Sequence, residues 1–332
     1  MERREFIRTA ALAGVGAIAT HGEAHAVARP MSPEMQYREL GRTGEKVSLI
    51  GLGGAHIGYL DGDDEATKLM RTAIDRGITF FDNCWDYNDG RSEERMGRAL
   101  KDGYRQKVFL MTKTDSHSVA GFNTQLEESL RRLGTDVIDL VQFHEVIRKD
   151  DPEAIFAPGG AVHAAMAAQK AGKLRYIGFT GHKDPSIHLH MLEVAEAHGF
   201  HFDTLQMPIN VMDAHFRSFQ REVIPVAQRK GVGVLAMKTF GFGSIVRAKV
   251  AEPMELLHYS MSLPVSVVIT GMDSMARLEQ ALTAAKTFKP MTEAAKTDLL
   301  ARAKDAARDG KYEAFKVSSA FDGTARRPDW LA

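Results

Sequence analysis

The sequence contains a single cysteine, Cys84, among its 332 residues. One thiol excludes an internal disulfide and any metal or iron–sulfur cage built only from cysteines. Neither sign of charge is in excess, because lysine plus arginine and aspartate plus glutamate each number 43. A balanced chain gives no electrostatic reason to expect nucleic acid or an anionic membrane surface as a partner.

Linkers rich in proline, glycine and serine are missing, and no internal repeat stands out. Without such a linker, a chain of this length is most simply interpreted as one domain with a large core. We also expect no membrane span, because the apolar run near the N-terminus is shorter than the roughly 20 residues that a spanning helix needs.

The first 26 residues differ in pattern from the rest. Arg3 and Arg4 precede an apolar pair and a run of small, weakly hydrophobic residues over 9–20, and Ala24-His-Ala26 offers a cleavage site. This order resembles a twin-arginine export signal, although a disordered basic terminus or a short helix is the alternative. We therefore predict a signal over 1–26, a periplasmic location and the export machinery as a partner. If the signal is not used, the protein stays in the cytoplasm.

From Gln36 onward, short apolar runs alternate with amphipathic stretches of helical length. Nearly continuous apolar runs suit parallel strands that are buried on both faces. Eight such runs are predicted as strands: Val47–Leu52, Ile78–Asp82, Val108–Thr112, Val137–Phe143, Leu174–Thr180, Thr204–Ile209, Val232–Met237 and Ser266–Thr270. Eight βα units in about 240 residues match the size of an α/β fold of the (β/α)₈ barrel type, the TIM barrel.

Helices are predicted between these strands. Their signals include the glycine that ends a helix, a capping box and a proline in the first turn. One helix is opened by the capping box Thr124–Glu127 and ends near Gly134, and another is capped by Asp184-Pro185. The other predicted helices are Asp64–Arg76, Met254–Leu263, Met275–Phe288 and an extra one over Thr292–Arg308.

Before the first unit, Tyr37–Leu40 and Lys46–Ser48 flank Gly41–Gly44. This pattern predicts a β-hairpin that plugs the N-terminal mouth of the barrel. The domain organisation is then a signal over 1–26, a barrel over 36–310 and a tail over 311–332 that packs on the barrel.

A doubly wound open sheet is the structural alternative, because it also alternates strands and helices. The segment after the first strand argues against its dinucleotide-binding form. Gly51-Leu-Gly-Gly54 does not complete the G-x-G-x-x-G pattern, because no glycine stands at the third position of the motif.

Four chemically active side chains follow three consecutive predicted strands. The second strand ends at Asp82 with Tyr87 five residues on, the third leads to Lys113 and the fourth to His144. In a TIM barrel the active site is formed at the C-terminal ends of the strands, so these groups should converge. Taken singly, each has an ordinary structural explanation, as a helix cap, a packed ring, a solvated rim lysine or a core histidine.

Together the four groups suit protonation of a carbonyl. A free tyrosine has a pKa near 10, which is too high for efficient acid–base work at neutral pH. An adjacent ammonium is expected to lower the pKa of Tyr87, and a carboxylate beyond Lys113 would hold that ammonium in place. His144 can donate a hydrogen bond to the carbonyl oxygen. Hydride has to come from a cofactor, since no side chain supplies it.

Several motifs here resemble those of the aldo-keto reductase family. They are Phe81–Tyr87 with Gly90–Glu93, Thr112-Lys113, Asp139–His144 and Gly172–Gly178, and the resemblance runs over about 36–285. It implies a (β/α)₈ barrel that uses NADPH, or possibly NADH, to reduce a small-molecule aldehyde or ketone. It also implies that Tyr87 is the proton donor, that Lys113 and Asp82 tune it, and that His144 orients the carbonyl.

The same resemblance implies a set of cofactor-binding residues. They are Gly53, Asp82, Thr180, Gly181, Gln206, Met237, Lys238, Phe240, Gly241, Gly271 and Arg277. Gln206 matches the glutamine that holds the carboxamide, Lys238 is a candidate for the pyrophosphate, and Arg277 is placed for a 2′-phosphate.

This half of the site departs from the family pattern at several positions. Gly181 stands in place of an asparagine, Met237 in place of a stacking tyrosine and Ala281 in place of another asparagine, while Asp273 lies near Arg277. A thioether can still pack on a ring. The resemblance therefore favours NADP over NAD only by a small margin.

Two other functional classes remain open. A metal-dependent hydrolase would use His56, His117, His144 and His182, which all follow predicted strands, but it leaves Tyr87 unexplained. A non-catalytic cofactor-binding sensor on the same fold is the other, because a fold alone does not establish activity. For the reductase itself we predict no metal site.

Overall fold

The computed structural model describes residue 29 and residues 31–332. The predicted export signal over 1–26 lies outside the described residues. The first regular element is a hairpin of β1 (Tyr37–Glu39) and β2 (Lys46–Ser48), paired antiparallel as the sequence predicts.

Eight parallel strands close into a barrel, which confirms the predicted fold class. They are β3 (Ile50–Gly53), β4 (Phe80–Asp82), β5 (Phe109–Thr114), β6 (Ile138–Phe143), β7 (Leu174–Thr180), β8 (Thr204–Pro208), β9 (Gly233–Met237) and β10 (Val267–Gly271). Each pairs with the next in chain order, and β10 pairs with β3. All eight carboxyl ends therefore open on one face.

The predicted strand Val47–Leu52 is wrong as a single element, because two strands divide it. Ser48 ends the hairpin, and its hydroxyl donates to the carbonyl of Ile50 at 2.6 Å while its amide donates to the hydroxyl of Thr79 at 3.0 Å. The chain bends at Leu49 and enters the barrel at Ile50. Hydropathy did not reveal this bend, since Leu49 is as buried as its neighbours.

Helices cover the outside of the barrel. The α-helices are α1 (Asp63–Asp75), α2 (Arg91–Ala99), α3 (Val119–Leu133), α4 (Asp151–Phe156), α5 (Ala161–Lys170), α6 (Pro185–Ala197), α7 (Phe219–Lys230), α8 (Ser244–Arg247), α9 (Pro253–Met261), α10 (Met275–Thr287), α11 (Glu293–Ala307), α12 (Ala314–Val317) and α13 (Gly323–Arg326). None of the described helices is long and apolar enough to cross a membrane.

The predicted start of α3 at a capping box is wrong. The helix begins at Val119, and its N-cap is Ser118, whose side chain accepts from the amide of Gly121. Thr124 lies within the helix, where its hydroxyl donates to the carbonyl of Ala120. A Ser/Thr-x-x-Glu pattern occurs inside helices too, because threonine can bond back to the preceding turn. Gly134 does end the helix, in the left-handed conformation.

The barrel interior is filled from its N-terminal end. Leu40 and Val47 of the hairpin belong to the same buried cluster as inward-facing residues such as Phe80, Phe109 and Leu140. A second, larger core lies between the barrel and the helices. The hairpin thus closes the N-terminal mouth of the barrel, and the opposite mouth lies at the carboxyl ends of the strands.

The last twenty residues run back over that open face. Glu145, directly after β6, accepts hydrogen bonds from the amides of Gly323 and Thr324 at 2.8 Å each. Farther along, the carbonyl of Trp330 accepts from the side chain of Gln125 at 3.0 Å. These bonds attach the tail to the loop after β6, which also carries His144, and to helix α3.

Candidate active site at the barrel mouth

Three adjacent strands bring the four predicted catalytic residues together. Asp82 ends β4, Lys113 lies near the end of β5, and His144 directly follows β6. Tyr87 comes from the loop after β4, and its ring meets the His144 ring edge-on at 5.9 Å. The structure thus places in contact the residues that the strand ends predicted.

Lys113 is the centre of this group. Its ammonium pairs with the carboxylate of Asp82 and donates to the carbonyl of Asn83 at 2.7 Å and to the hydroxyl of Tyr87 at 3.4 Å. Its side chain is 1% exposed. A buried ammonium is costly unless it is paired and hydrogen-bonded, and this one is both.

The pKa of Tyr87 moves opposite to the expected direction. Burial of the ring, and next the negative charge of Asp82, raise the pKa of Tyr87 well above its ordinary value. The expectation of a lowered pKa is therefore wrong for this state of the protein. The physical reason is that Asp82 already compensates the ammonium of Lys113, while burial disfavours a phenolate. Tyr87 accordingly holds its proton at neutral pH.

His144 has a strongly acidic environment. Its Nδ1 lies 2.8 Å from Oδ1 of Asp115 and 3.8 Å from Oδ1 of Asp86. Burial by itself would lower the pKa of His144, but the charges of these carboxylates outweigh burial and raise it to about 9. As long as no further cation binds at these carboxylates, the imidazole of His144 is therefore protonated at neutral pH.

Sequence reasoning missed the residues around His144. Cys84 Sγ lies 3.2 Å from Nδ1 of His144, and Asp86 and Asp115 complete a cluster of four. A signal was present for Asp115, since residues two apart on a strand point to the same side and Lys113 precedes it by two. For Cys84 and Asp86 no such periodicity exists, because both lie in a loop.

A cavity of about 450 Å³ opens beside Tyr87 and Asp82. Most of the predicted cofactor-binding residues line it, namely Gly53, Asp82, Gln206, Met237, Lys238, Phe240, Gly241, Gly271 and Arg277. His56, Thr239, Phe242 and Asp273 also line it and were not predicted as cofactor contacts. Pockets of roughly 300 to 1,000 Å³ are typical of small-molecule sites.

Thr180 and Gly181 do not line this cavity. Both are buried, and a Cβ on Gly181 would lie 2.2 Å from the carbonyl oxygen of Val146. A side chain cannot fit there, so the glycine is explained by the close approach of the loop after β6. Neither residue therefore borders the cavity, and the contact with the cofactor's carboxamide that the family pattern suggests for this pair stays a prediction.

The donors and acceptors around the cavity fit a nicotinamide dinucleotide. Oε1 of Gln206 is buried and has no hydrogen-bond partner in the described part of the chain, so it can accept from a carboxamide. Burial lowers the pKa of Lys238 to about 8, which leaves it largely cationic at pH 7. Arg277 lies one turn into α10, whose N-cap is Ser274. Helix N-termini and cations are the usual partners of phosphates.

The tail contributes an aromatic wall next to the catalytic loop. The rings of Trp85 and Trp330 meet edge-on at 5.6 Å. Phe321 packs against Phe242 at 5.0 Å, and Phe242 stacks on His56 at 6.0 Å. The tail thus packs a ring against Trp85 of the catalytic loop and another against Phe242, which lines the cavity together with His56.

The four histidines of the hydrolase alternative do not assemble. Nε2 of His182 pairs with Asp322 at 3.1 Å, and His117 lies 3.9 Å from Asp151. His56 borders the cavity instead. Among the residues that the structure describes, the one grouping suited to a metal ion includes only His144 of the four.

Comparison with known proteins agrees with this geometry. The model of the aldo/keto reductase family matches residues 49–256, which is more than half of the chain. The chain belongs to the aldo-keto reductase family. It is therefore related to oxidoreductases, and the family accounts for the position of the site at the carboxyl ends of the strands.

Individual relatives are moderately similar. Oxidoreductase YrpG of Bacillus subtilis is 31% identical over 231 residues, which are 63% of this chain and 68% of that protein. Aldo-keto reductase YhdN of Bacillus subtilis is 31% identical over 235 residues, 66% of this chain and 65% of that protein. The matched region thus spans about two thirds of these relatives.

Solved structures share the fold. Aldo-keto reductase AKR11C1 from Bacillus halodurans, in its holo form, superposes with a TM-score of 0.68 at 23% identity, covering 84% of this chain and 99% of that one. An aldo-keto reductase of Pseudomonas aeruginosa gives a TM-score of 0.63 at 25% identity, covering 78% and 98%.

Proposed function

We propose that this protein reduces an aldehyde or ketone to an alcohol with NADPH, and that Tyr87 donates the proton. One observation carries the proposal: the ammonium of Lys113 contacts both Asp82 and the hydroxyl of Tyr87, at the edge of a cavity that Tyr87 and Asp82 line. A proton donor, its electrostatic partner and a binding space are thus adjacent.

The cofactor would be held by the residues around this cavity. Gln206 is suited to the carboxamide, Met237 to packing on the ring, Lys238 to a phosphate and Arg277 to the adenosine end. When bound, NADPH supplies hydride at C4 of its nicotinamide. Arg277, which is placed for the 2′-phosphate, favours NADPH over NADH, while the nearby carboxylate of Asp273 opposes binding of that phosphate.

The chain's own residues handle the proton. The hydroxyl of Tyr87 is protonated at neutral pH, because burial and Asp82 raise its pKa. As the carbonyl oxygen gains negative charge, the Tyr87 hydroxyl can give up its proton, and the ammonium of Lys113 at 3.4 Å then stabilises the phenolate that forms. Such positioned proton transfer contributes roughly 10²- to 10⁴-fold to a rate.

His144 is the candidate for orienting the carbonyl. Its Nδ1 is occupied by Asp115, and its Nε2 makes no hydrogen bond to any described residue. Nε2 therefore retains a proton to donate. The edge-on contact with the Tyr87 ring keeps the two donors close enough to share one carbonyl oxygen.

The experiment is a screen of NADPH oxidation against aldehydes, ketones and quinones, run with the unmodified chain and Tyr87→Phe. Tyr104→Phe is the matched control, since the hydroxyl of Tyr104 bonds to Asp75 on the barrel surface. We expect turnover that Tyr87→Phe abolishes without loss of NADPH binding and that Tyr104→Phe retains. Binding of NADPH without turnover of any carbonyl would instead favour the sensor alternative.

We also propose that the N-terminal 26 residues direct export by the twin-arginine route to the periplasm. Support comes from the order of Arg3-Arg4, the small-residue run and the Ala24–Ala26 cleavage site. Fractionation of cells that express the chain, compared with the Arg3→Lys, Arg4→Lys double variant, tests this. Periplasmic protein only with the arginines supports export, and an unchanged cytoplasmic location of both contradicts it.

A further inference from the structure

Four possible metal ligands surround Nδ1 of His144. They are the thiol of Cys84, the carboxylates of Asp86 and Asp115, and Nδ1 itself, and one ligand atom from each lies within 4.8 Å of all the others. They lie in the loops that follow three adjacent strands, β4, β5 and β6. Three separate loops, rather than one, therefore determine their separation.

The cluster has more negative charge than its neighbours compensate. In the described part of the chain, neither Asp86 nor Asp115 forms an ion pair with a lysine or arginine, and the imidazole of His144 is the charged partner of both. The ammonium of Lys113, which is close by, already pairs with Asp82. A buried carboxylate, Asp115, and a partly buried one, Asp86, thus share one potential countercharge.

An unsatisfied oxygen lies on a fully buried carboxylate of this cluster. Within residues 31–332 and residue 29, Oδ2 of Asp115 has no hydrogen-bond partner, and the residue is 1% exposed. Among the same residues, Oδ1 of Asp86 is also buried without a partner. Leaving such an atom unpaired costs about 1 to 3 kcal/mol or more when the group is charged. A divalent cation would satisfy both oxygens at once.

The distances from Nδ1 of His144 are close to those between the ligands of a small tetrahedral ion, and the two shorter ones would lengthen by up to about half an ångström on binding. Nδ1 of His144 lies 2.8 Å from Asp115, 3.2 Å from Cys84 and 3.8 Å from Asp86. Ligands on a tetrahedral zinc ion, with bonds of roughly 2.0 to 2.3 Å, are about 3.3 to 3.8 Å apart. A set of one sulfur, one nitrogen and two carboxylate oxygens selects a zinc-like cation over magnesium or calcium, which prefer oxygen alone.

We propose that Cys84, Asp86, Asp115 and His144 form a binding site for one zinc-type divalent cation. Binding replaces the thiol proton of Cys84 and any proton on Nδ1 of His144, and both protons leave to solvent. No electron is transferred. A metal on Nδ1 fixes the remaining imidazole proton on Nε2, so under the function proposed above the metal would keep His144 in the form that donates to a carbonyl.

Metal binding can be measured without cofactor or substrate, which separates this test from that of the reductase activity. The untagged full-length chain is stripped with a chelator and titrated with Co²⁺, whose tetrahedral and thiolate-bound forms have distinct absorption, and then with Zn²⁺ in competition. We expect one equivalent of Co²⁺ bound with a thiolate-to-metal band, and its displacement by Zn²⁺.

The variants Cys84→Ser and Asp115→Asn test the ligands, with His117→Gln as the matched control because His117 also faces a carboxylate, Asp151, outside the cluster. We expect Cys84→Ser to lose the thiolate band, Asp115→Asn to weaken binding by about 10- to 100-fold or more, and His117→Gln to change neither. Circular dichroism verifies that each variant is folded.

Two outcomes would overturn the proposal. One is a folded, unmodified chain that binds clearly less than one equivalent of either ion. The other is stoichiometric binding that is equally strong in Cys84→Ser, Asp115→Asn and His117→Gln, which would place the ion elsewhere. In either case the protonated imidazole of His144, paired with Asp115, would provide the positive charge of the cluster instead of a metal ion.

Discussion

The ammonium of Lys113 lies 3.4 Å from the hydroxyl oxygen of Tyr87 and 4.8 Å from the centre of its ring. The same ammonium is bound to Asp82, so it is held at the phenol by a second strand. Under the proposed function, this contact links the proton donor, Tyr87, to the charge that would stabilise its phenolate. The predictions below test that link and the cavity beside it.

Replacing Lys113 with Met removes the ammonium and keeps a side chain of similar length. We expect kcat to fall by about 10²- to 10⁴-fold, because the phenolate of Tyr87 would form beside Asp82 without a countercharge. NADPH binding, followed by fluorescence, should change little. A Lys113→Met variant that retains more than a tenth of the unmodified kcat would contradict the assigned role.

Lys238 should make cofactor affinity depend on pH. Burial lowers the pKa of its ammonium to about 8, so the charge that attracts a phosphate is mostly present at pH 7 and mostly lost at pH 9. We expect the Kd for NADPH to rise by up to about tenfold over this interval. Titrations at several pH values should show this rise in the unmodified chain and a flat profile in Lys238→Met. An equal rise in both would exclude Lys238.

Arg277 should determine the preference for NADPH. Its side chain borders the cavity and makes only one hydrogen bond among the described residues, to Gln280 at 3.2 Å, so it remains able to pair with a 2′-phosphate. Arg277→Ala should weaken NADPH binding by about tenfold or more and leave NADH binding nearly unchanged. Arg247→Ala, outside the cavity lining, is the control. Equal losses for both cofactors would argue for a general structural effect.

His188 should destabilise the fold in acid. Burial lowers the pKa of His188 to about 4, and its Nε2 contacts the carbonyl of Gln206 at 3.2 Å, while Nδ1 has no partner among the residues that the structure describes. Between pH 6.5 and 4, the imidazole of His188 is protonated in the unfolded chain but neutral in the folded one. The folded state therefore loses up to about 1.4 kcal/mol per pH unit as the pH falls, and is unaffected above pH 6.5.

The measurement is urea unfolding at pH 7, 6, 5 and 4.5, with His188→Gln beside the unmodified chain. The variant is expected to be less stable at pH 7, because packing against Phe179 and Phe219 is lost. Its stability should nevertheless fall less steeply below pH 6.5. Parallel pH profiles for the two proteins would show that His188 is not the group responsible.

Much of the fold could be predicted from the sequence, because buried parallel strands and helix caps leave local patterns. The closed barrel, the hairpin at 37–48 and the extra helix near the C-terminus all follow from such patterns. The division of Val47–Leu52 into two strands did not, since a bend stabilised by the side chain of Ser48 leaves hydropathy unchanged. The capping box at Thr124 was wrong for another reason, because the same motif occurs both at the start of a helix and inside one.

The site divides in a similar way. Asp82, Lys113 and His144 were predictable because strand ends converge in a barrel. The cluster around His144 was not, because the paths of loops decide which side chains meet, and Asp86 is brought there by the loop after β4. The direction of the pKa shift of Tyr87 was also missed, since it depends on burial and on the prior pairing of Lys113 with Asp82, which only coordinates show.

The most direct test of the central claim follows one atom. The protein is incubated with NADPH that carries deuterium in place of both hydrogens at C4 and with an aldehyde or ketone that it turns over, and the alcohol is analysed by mass spectrometry. The account predicts deuterium on the former carbonyl carbon with the unmodified chain and none with Tyr87→Phe. Alcohol that forms without the label, or labelled alcohol at an undiminished rate from Tyr87→Phe, would contradict it.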